Sequence, residues 1–178
     1  ENGAQGIAFD VAVAAGPNSA VPHHESGDRP LRLGEPIWID MAARIDGYCS
    51  DLTRTFYLGQ PDARYKEIYD LVLKAQLAVG KALRPGLSGK EADAVARQVI
   101  TEGGYGESFR HGTGHGVGLA VHELPGMGLR SPDNVYLAPG NVVTIEPGIY
   151  LPGWGGIRIE DMAVITATGC RVLTTAGK

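Results

Sequence analysis

The chain has 178 residues, 43% of them hydrophobic and 20% charged, which gives one globular domain with enough sequence for a sizeable core. Its net charge of −4, with no Lys/Arg run interleaved with aromatics, argues against a nucleic-acid-binding surface, and no apolar stretch approaches a membrane span. Cys49 and Cys170 do not make a disulfide framework or a thiolate metal site, so a reducing, cytoplasmic setting is expected.

The chain begins Glu1-Asn2-Gly3-Ala4, without an initiator Met or a signal-peptide pattern, and runs almost at once into an apolar segment. A natural polypeptide that extends upstream is the expectation. Ala8 to Ala15 reads as a strand, closed by the turn signal Gly16-Pro17-Asn18-Ser19. His23 and His24 follow in a loop. Pro36 to Ile45 reads as a strand, Asp46-Gly47 as a tight hairpin turn, and Tyr48 to Leu58 as the returning strand. Such a hairpin brings Asp40 and Asp51 together across its ladder.

Two helices come next. Asp62 is the N-cap of the first, whose apolar stripe includes Tyr65, Ile68, Val72 and Leu83, and Arg84-Pro85-Gly86 stops it. Ser88-x-x-Glu91 is a capping box for the second, with Ala92, Val95, Ala96 and Val99 as its inner stripe and Gly103-Gly104 as its end. From Phe109 the chain turns glycine-rich: His111-Gly-Thr-Gly-His115-Gly-Val-Gly. It lacks the Gly-Lys-Ser/Thr ending of a phosphate loop. Small residues around two histidines instead let the backbone turn at a crowded site. Asn141 to Tyr150 and Gly156 to Ile165 read as a second hairpin, and Arg171 to Thr174 as a last short strand. The pattern is that of an α+β domain.

Asp40, Asp51, His115, Glu146 and Glu160 stand in apolar strands or glycine-rich turns, where a charge is costly unless compensated. Leu31-x-x-Gly34-x-x-Ile37-x-Ile39-Asp40 matches Leu137-x-x-Gly140-x-x-Val143-x-Ile145-Glu146 at one constant offset, and each copy runs on to a further acid, Asp51 or Glu160. The match implies two half-domains related by a pseudo-two-fold axis, each supplying an acid pair. Four carboxylates and one imidazole suit two cations such as Mn²⁺, Co²⁺, Fe²⁺ or Zn²⁺. Such a pair sits about 3.5–4 Å apart and makes hydroxide available near neutral pH. His23, His111 and His122 lie outside this set and can act on the substrate, and Arg158 can orient a ligand carboxylate.

The segments Asp46-Gly-Tyr-x-Ser-Asp51-x-Thr-Arg-Thr55, His111-Gly-Thr-Gly-His115, His122-Glu123-x-Pro125, Glu146-Pro-Gly-Ile-Tyr150 and Arg158-Ile-Glu160-Asp161 closely resemble the pita-bread metallopeptidases, in their Xaa-Pro branch of aminopeptidase P and prolidase. The resemblance implies a pita-bread fold of two pseudo-symmetric antiparallel halves with helices on the outer face. It implies hydrolysis of Xaa-Pro bonds through a metal-bridging hydroxide, in peptides with proline second or in dipeptides, and a homodimer of the full-length protein. Asp40 would bind one metal as a terminal ligand, His115 and Glu146 the other, and Asp51 and Glu160 both. Glu146 would also handle protons. His23, His111 and His122 match positions lining the substrate site, and Arg158 matches an arginine supporting the metals. On this basis residues 1–178 form the catalytic domain, without its first helices and separate N-terminal domain. Methionine aminopeptidases share the scaffold, as do protein-binding relatives without activity and the metal-free creatine amidinohydrolases. The intact acid set argues against the last two, and the His122 and Arg158 motifs favour the Xaa-Pro branch.

Overall fold

The computed structural model describes residues 3–178. The strands and helices are β1 (Gly6–Ile7), β2 (Ala12–Ala15), β3 (Pro36–Met41), β4 (Ala43–Ile45), β5 (Tyr48–Cys49), β6 (Leu52–Tyr57), α1 (Ala63–Ala82), α2 (Gly89–Glu102), β7 (Gly114–Gly116), β8 (Glu123–Met127), β9 (Val142–Ile145), β10 (Gly148–Leu151), β11 (Gly155–Arg158), β12 (Asp161–Ile165) and β13 (Cys170–Val172). The architecture is α+β, and every strand pairing is antiparallel. One half is built on β2-β3-β6 and the other on β13-β12-β9-β7-β8 with the hairpin β10-β11.

Each long strand expected from the sequence is broken. The segment 36–45 divides at Ala42, 48–58 at Ser50-Asp51, 141–150 at Glu146-Pro147 and 156–165 at Ile159-Glu160. The segment 8–15 is a strand only from Ala12, and β1 lies ahead of it. Three of the breaks hold an acid of the proposed set. Pro147 has no N–H for a ladder. The N–H of Glu146 turns to Thr113 O at 2.8 Å, and that of Glu160 to Thr53 O at 3.1 Å. The breaks are therefore points where a strand changes partner and its side chain is re-aimed.

The internal repeat is present in the backbone. Gly34 and Gly140 both take the left-handed conformation, at φ 85° and 92°. Their N–H groups bond to Leu58 O and Ile165 O, the far ends of the partner strands. The register corrects one part of the expected symmetry. Ile39 faces Arg54 in the first half, and Ile145 faces Asp161 in the second. The counterpart of Glu160 is thus Thr53, not Asp51. Asp40 also faces Thr53 across the ladder, and Asp51 lies beyond the end of that pairing.

Both helices begin as their caps dictate. Asp62 accepts from Tyr65 N, and Ser88 and Glu91 form the full capping box. They cover one half only, packing Ile68, Val72, Val79, Ala92 and Ala96 against Val143, Ile145, Ile157 and Ile159. The inner face of α2 is Gly89, Ala92, Asp93, Ala96 and Ile100, whereas Val95 and Val99 are only partly buried. Its face is thus rotated from the expected stripe, because Asp93 is drawn inward. Val11, just ahead of β2, and Met41 and Phe56, on β3 and β6 of the other half, are exposed.

Ser88→Ala removes the side-chain acceptor of the box, while its backbone stays in place. The expected loss is about 1 kcal/mol of stability, the usual cost of a lost N-cap, read from the denaturant midpoint in urea unfolding.

Candidate metal centre

Asp40 reaches the site from β3, and the other four proposed ligands come from β7 or from breaks beside β6, β9 and β12. All five line one cavity of about 290 Å³, together with His23, His111, His122 and Arg158. His24 lies in a separate depression, so the first histidine of that pair is the one at the cavity. One ligand atom each from Asp51, His115 and Glu160 lies within 4.8 Å of the other two. His115 Nε2 is 3.2 Å from Glu146 Oε1 and 3.6 Å from Asp51 Oδ2.

The surroundings fix these groups. His115 Nδ1 donates to Gly116 O at 3.0 Å, because a carbonyl can only accept. That leaves Nε2 facing the carboxylates, the arrangement a metal-ligating imidazole needs. Thr144 Oγ1 accepts from His115 N at 3.0 Å and donates to Glu146 Oε1 at 3.1 Å. Arg158 pairs with Asp40 Oδ2 at 2.7 Å, and its Nε donates to Thr53 Oγ1 at 3.0 Å. Thr53 Oγ1 in turn donates to Glu160 Oε2 at 2.6 Å. Thr53 and Thr144 were not singled out from sequence, though the repeat register pairs Thr53 with Glu160.

His111 is held at both ring nitrogens. Nδ1 donates to Gly112 O at 2.7 Å, and Nε2 lies 2.8 Å from Tyr150 Oη, which itself accepts from Arg158 Nη1 at 3.1 Å. Burial lowers the His111 pKa, so the ring is neutral and Nε2 accepts from the tyrosine. A hydrogen bond from His111 to a substrate requires giving up one of these partners. His122 is freer: it is exposed, and its ring centroid lies 4.3 Å from that of His115.

Electrostatics test whether cations fit. Burial, reinforced by Asp40 and Glu146, pushes Asp51 up to about 7. Burial followed by the charges of Glu146, Asp51 and Asp40 raises Glu160 well above the carboxylate range. Asp40 is raised by burial despite Arg158. Burial would raise Glu146 too, but the hydrogen bond with His115 and the charges of His115 and Arg158 bring it to about 2. Burial lowers His115, but its hydrogen bond to Glu146, the charges of Glu146 and Asp51 and the bond to Gly116 O together raise it. Four carboxylates cannot all ionise here beside one arginine. Asp40 Oδ1 is, moreover, buried with no hydrogen-bond partner. An oxygen-rich donor set with one imidazole and an orphaned carboxylate oxygen fits hard or intermediate divalent cations.

The description "Metallopeptidase family M24" matches residues 1–167. The Xaa-Pro dipeptidase of Pyrococcus furiosus is 46% identical over 173 residues, covering 97% of this chain and 49% of that protein. Among solved structures, the prolidase from Pyrococcus furiosus has a TM-score of 0.96 at 44% identity, covering 99% of this chain and 52% of that one. The X-Pro aminopeptidase from Thermotoga maritima has a TM-score of 0.94 at 45% identity, covering 98% and 49%. The fold is the pita-bread fold of these enzymes. The chain spans about half the length of the curated relatives it matches.

A carboxyl with a raised folded-state pKa stabilises the fold only while protonated. For Asp51 that contribution is full below about pH 4 and is lost as pH rises through about 7. His115, also raised, acts in the same direction above the ordinary imidazole range. Glu146, lowered to about 2, loses its contribution only as pH falls below the ordinary carboxylate value, outside this window. Chelator-treated protein should therefore melt at a lower temperature at about pH 7.5 than at about pH 5.5, with an excess of Mn²⁺ reversing the drop. Equal melting temperatures at the two pH values in scanning calorimetry would contradict this.

Proposed function

We propose that this chain, which belongs to metallopeptidase family M24, hydrolyses the Xaa-Pro bond of dipeptides or of peptides with proline in second place, using two divalent cations. One observation carries the reading: four carboxylates and an imidazole surround a single cavity that leaves them more negative charge than Arg158 can offset. Mn²⁺, Co²⁺ and Zn²⁺ are the ions best matched to these donors.

Asp40 would hold one cation, His115 and Glu146 the other, and Asp51 and Glu160 would bridge them. Bound there, the pair would lower the pKa of a water and polarise the scissile carbonyl. Glu146, whose Oε1 lies 3.2 Å from His115 Nε2, would also take the proton of the attacking water. His122, whose pKa is lowered by partial desolvation of its otherwise exposed ring and by His115, is neutral at pH 7 and can exchange a hydrogen bond with the peptide. His23 lines the cavity beside Phe9, Pro22 and Val121, an apolar surface that suits a proline ring. Arg158 keeps Asp40 in place, and Tyr150 with His111 completes the support on that side.

Hydrolysis of Ala-Pro but not Ala-Pro-Ala by the metal-loaded protein would mark a dipeptidase, and the converse an aminopeptidase. Failure on both substrates at full metal content would contradict the proposal. Asp51→Asn or Glu160→Gln should abolish activity and cost at least one ion, as counted by elemental analysis. His122→Ala should lower turnover about 10²–10⁴-fold, the usual worth of a positioned proton donor or acceptor, at unchanged metal content. Loss of metal in that variant would move His122 into the ligand set.

A further inference from the structure

We infer that Asp93 and Arg97, on α2 and outside the cavity, are positioning residues for the half of the metal site carried by His115 and Glu146; the inference rests on the metal reading above. Neither residue lines the catalytic cavity. Asp93 is fully buried, in the middle of an apolar helix face between Ala92 and Ala96. A carboxylate in that place is costly unless its oxygens are fully used.

They are used on Arg97, one turn further along α2, and on the loop that carries the histidines. Arg97 Nε donates to Asp93 Oδ2 at 2.7 Å, and Nη2 donates to Asp93 Oδ1 at 3.0 Å. The same guanidinium donates to Phe109 O and His111 O, each at 2.9 Å. Asp93 Oδ1 accepts from Thr113 N at 3.0 Å and from Thr113 Oγ1 at 2.9 Å. Residues 109–113 are thus fastened to α2 by four hydrogen bonds, two donated by Arg97 and two accepted by Asp93, in addition to the two within the ion pair itself. Glycines at 112 and 114 leave that segment little stiffness of its own, and a Cβ at either would strike backbone oxygen of Met127 or Thr144.

The fastening continues into the site. Thr113 O, on the clamped residue, accepts from Glu146 N at 2.8 Å. His115 follows two residues later and is tied through Thr144 Oγ1 to Glu146 Oε1. The clamp therefore sets where the His115 and Glu146 donors stand. Asp40 has no such link to α2; its partner is Arg158.

The test uses the full chain stripped of metal and titrated with Mn²⁺ by calorimetry, with kcat and KM measured in parallel on Ala-Pro or Ala-Pro-Ala. Asp93→Asn should weaken one of the two Mn²⁺ binding steps about 10- to 100-fold, the range for groups that orient a ligand, and leave the other step near wild type. Arg97→Lys, which keeps the charge but not the fork, should fall between the two. kcat should drop at sub-saturating Mn²⁺ with KM little changed, and recover as Mn²⁺ is raised. Ile100→Val, a core change on the same helix, is the control for stability alone, and its Mn²⁺ titration should match wild type. Asp93→Asn that binds both ions as wild type does would overturn the inference. So would an Ile100→Val titration weakened as much as that of Asp93→Asn at equal melting temperature. Wild-type protein that takes up no Mn²⁺ would overturn both the inference and the metal reading beneath it. If Asp93→Asn does not fold, Thr113→Val, which deletes only the hydroxyl contact, should give the same selective weakening, and normal binding of both ions there would overturn the inference.

Discussion

The crowding of four carboxylates, two buried and two half-buried, around one cavity is the constraint that organises this protein. Each buried carboxylate costs several kcal/mol unless something positive or hydrogen-bonding meets it. Arg158 meets Asp40, Thr53 meets Glu160, and His115 meets Glu146, but Asp51 and Glu160 stay strongly biased towards their protonated forms. The chain thus carries an electrostatic deficit that only added positive charge can relieve. Two divalent cations would balance four carboxylates, which is why the site reads as a metal centre and not as an acid–base dyad.

The same constraint explains the irregular strands. A regular strand points alternate side chains to opposite faces and spends its N–H groups on its neighbours. At Glu146 and Glu160 the N–H groups go instead to Thr113 and Thr53, so the acids are anchored where two sheets meet. The pseudo-symmetry is tightest at this junction. Arg54 and Asp161, counterparts in the two halves, form a buried ion pair at 2.8 Å, and Arg54 also donates to Thr53 O and, by a short bond, Glu160 O. Residues that the repeat makes equivalent therefore touch one another across the axis, and the spacing of the acids depends on that contact.

Much of the site was legible in the sequence because an acid at the end of an apolar run is conspicuous. Asp40 and Glu146 stand in register in a repeat, and the capping residues Asp62 and Ser88 act locally, through bonds within one turn. What could not be read depends on partners distant in sequence. The breaks at Asp51, Glu146 and Glu160 arise from bonds to other strands. Strand β8, with its cis Leu124-Pro125 peptide, carries no alternating pattern and exists because β7 pairs with it. The repeat is visible in sequence but its partner-strand register is not: spacing alone pairs Asp51 with Glu160, whereas the ladder pairs Thr53 with it. The inward face of α2 departs from the expected stripe for a related reason: Asp93 looks like a surface residue until its partner loop is in place.

The two halves of the site are supported in different ways, and this follows from where the helices lie. The half bearing His115 and Glu146 sits beneath α1 and α2, with an apolar core behind Val143 and Ile145. Its glycine-rich loop could not hold a histidine by its own stiffness, so α2 supplies a buried ion pair to hold it. The half bearing Asp40 is not covered by α1 or α2, and its acid is held from the front, by an arginine reaching across from β11. Arg158 also lies 4.5 Å from the ring of the fully buried Trp38 on β3, so it is wedged between the halves by packing as well as by charge. A duplicated strand-and-acid unit has thus acquired two unlike supports, and it is the supports, not the acids, that make the two sides of the cavity chemically distinct.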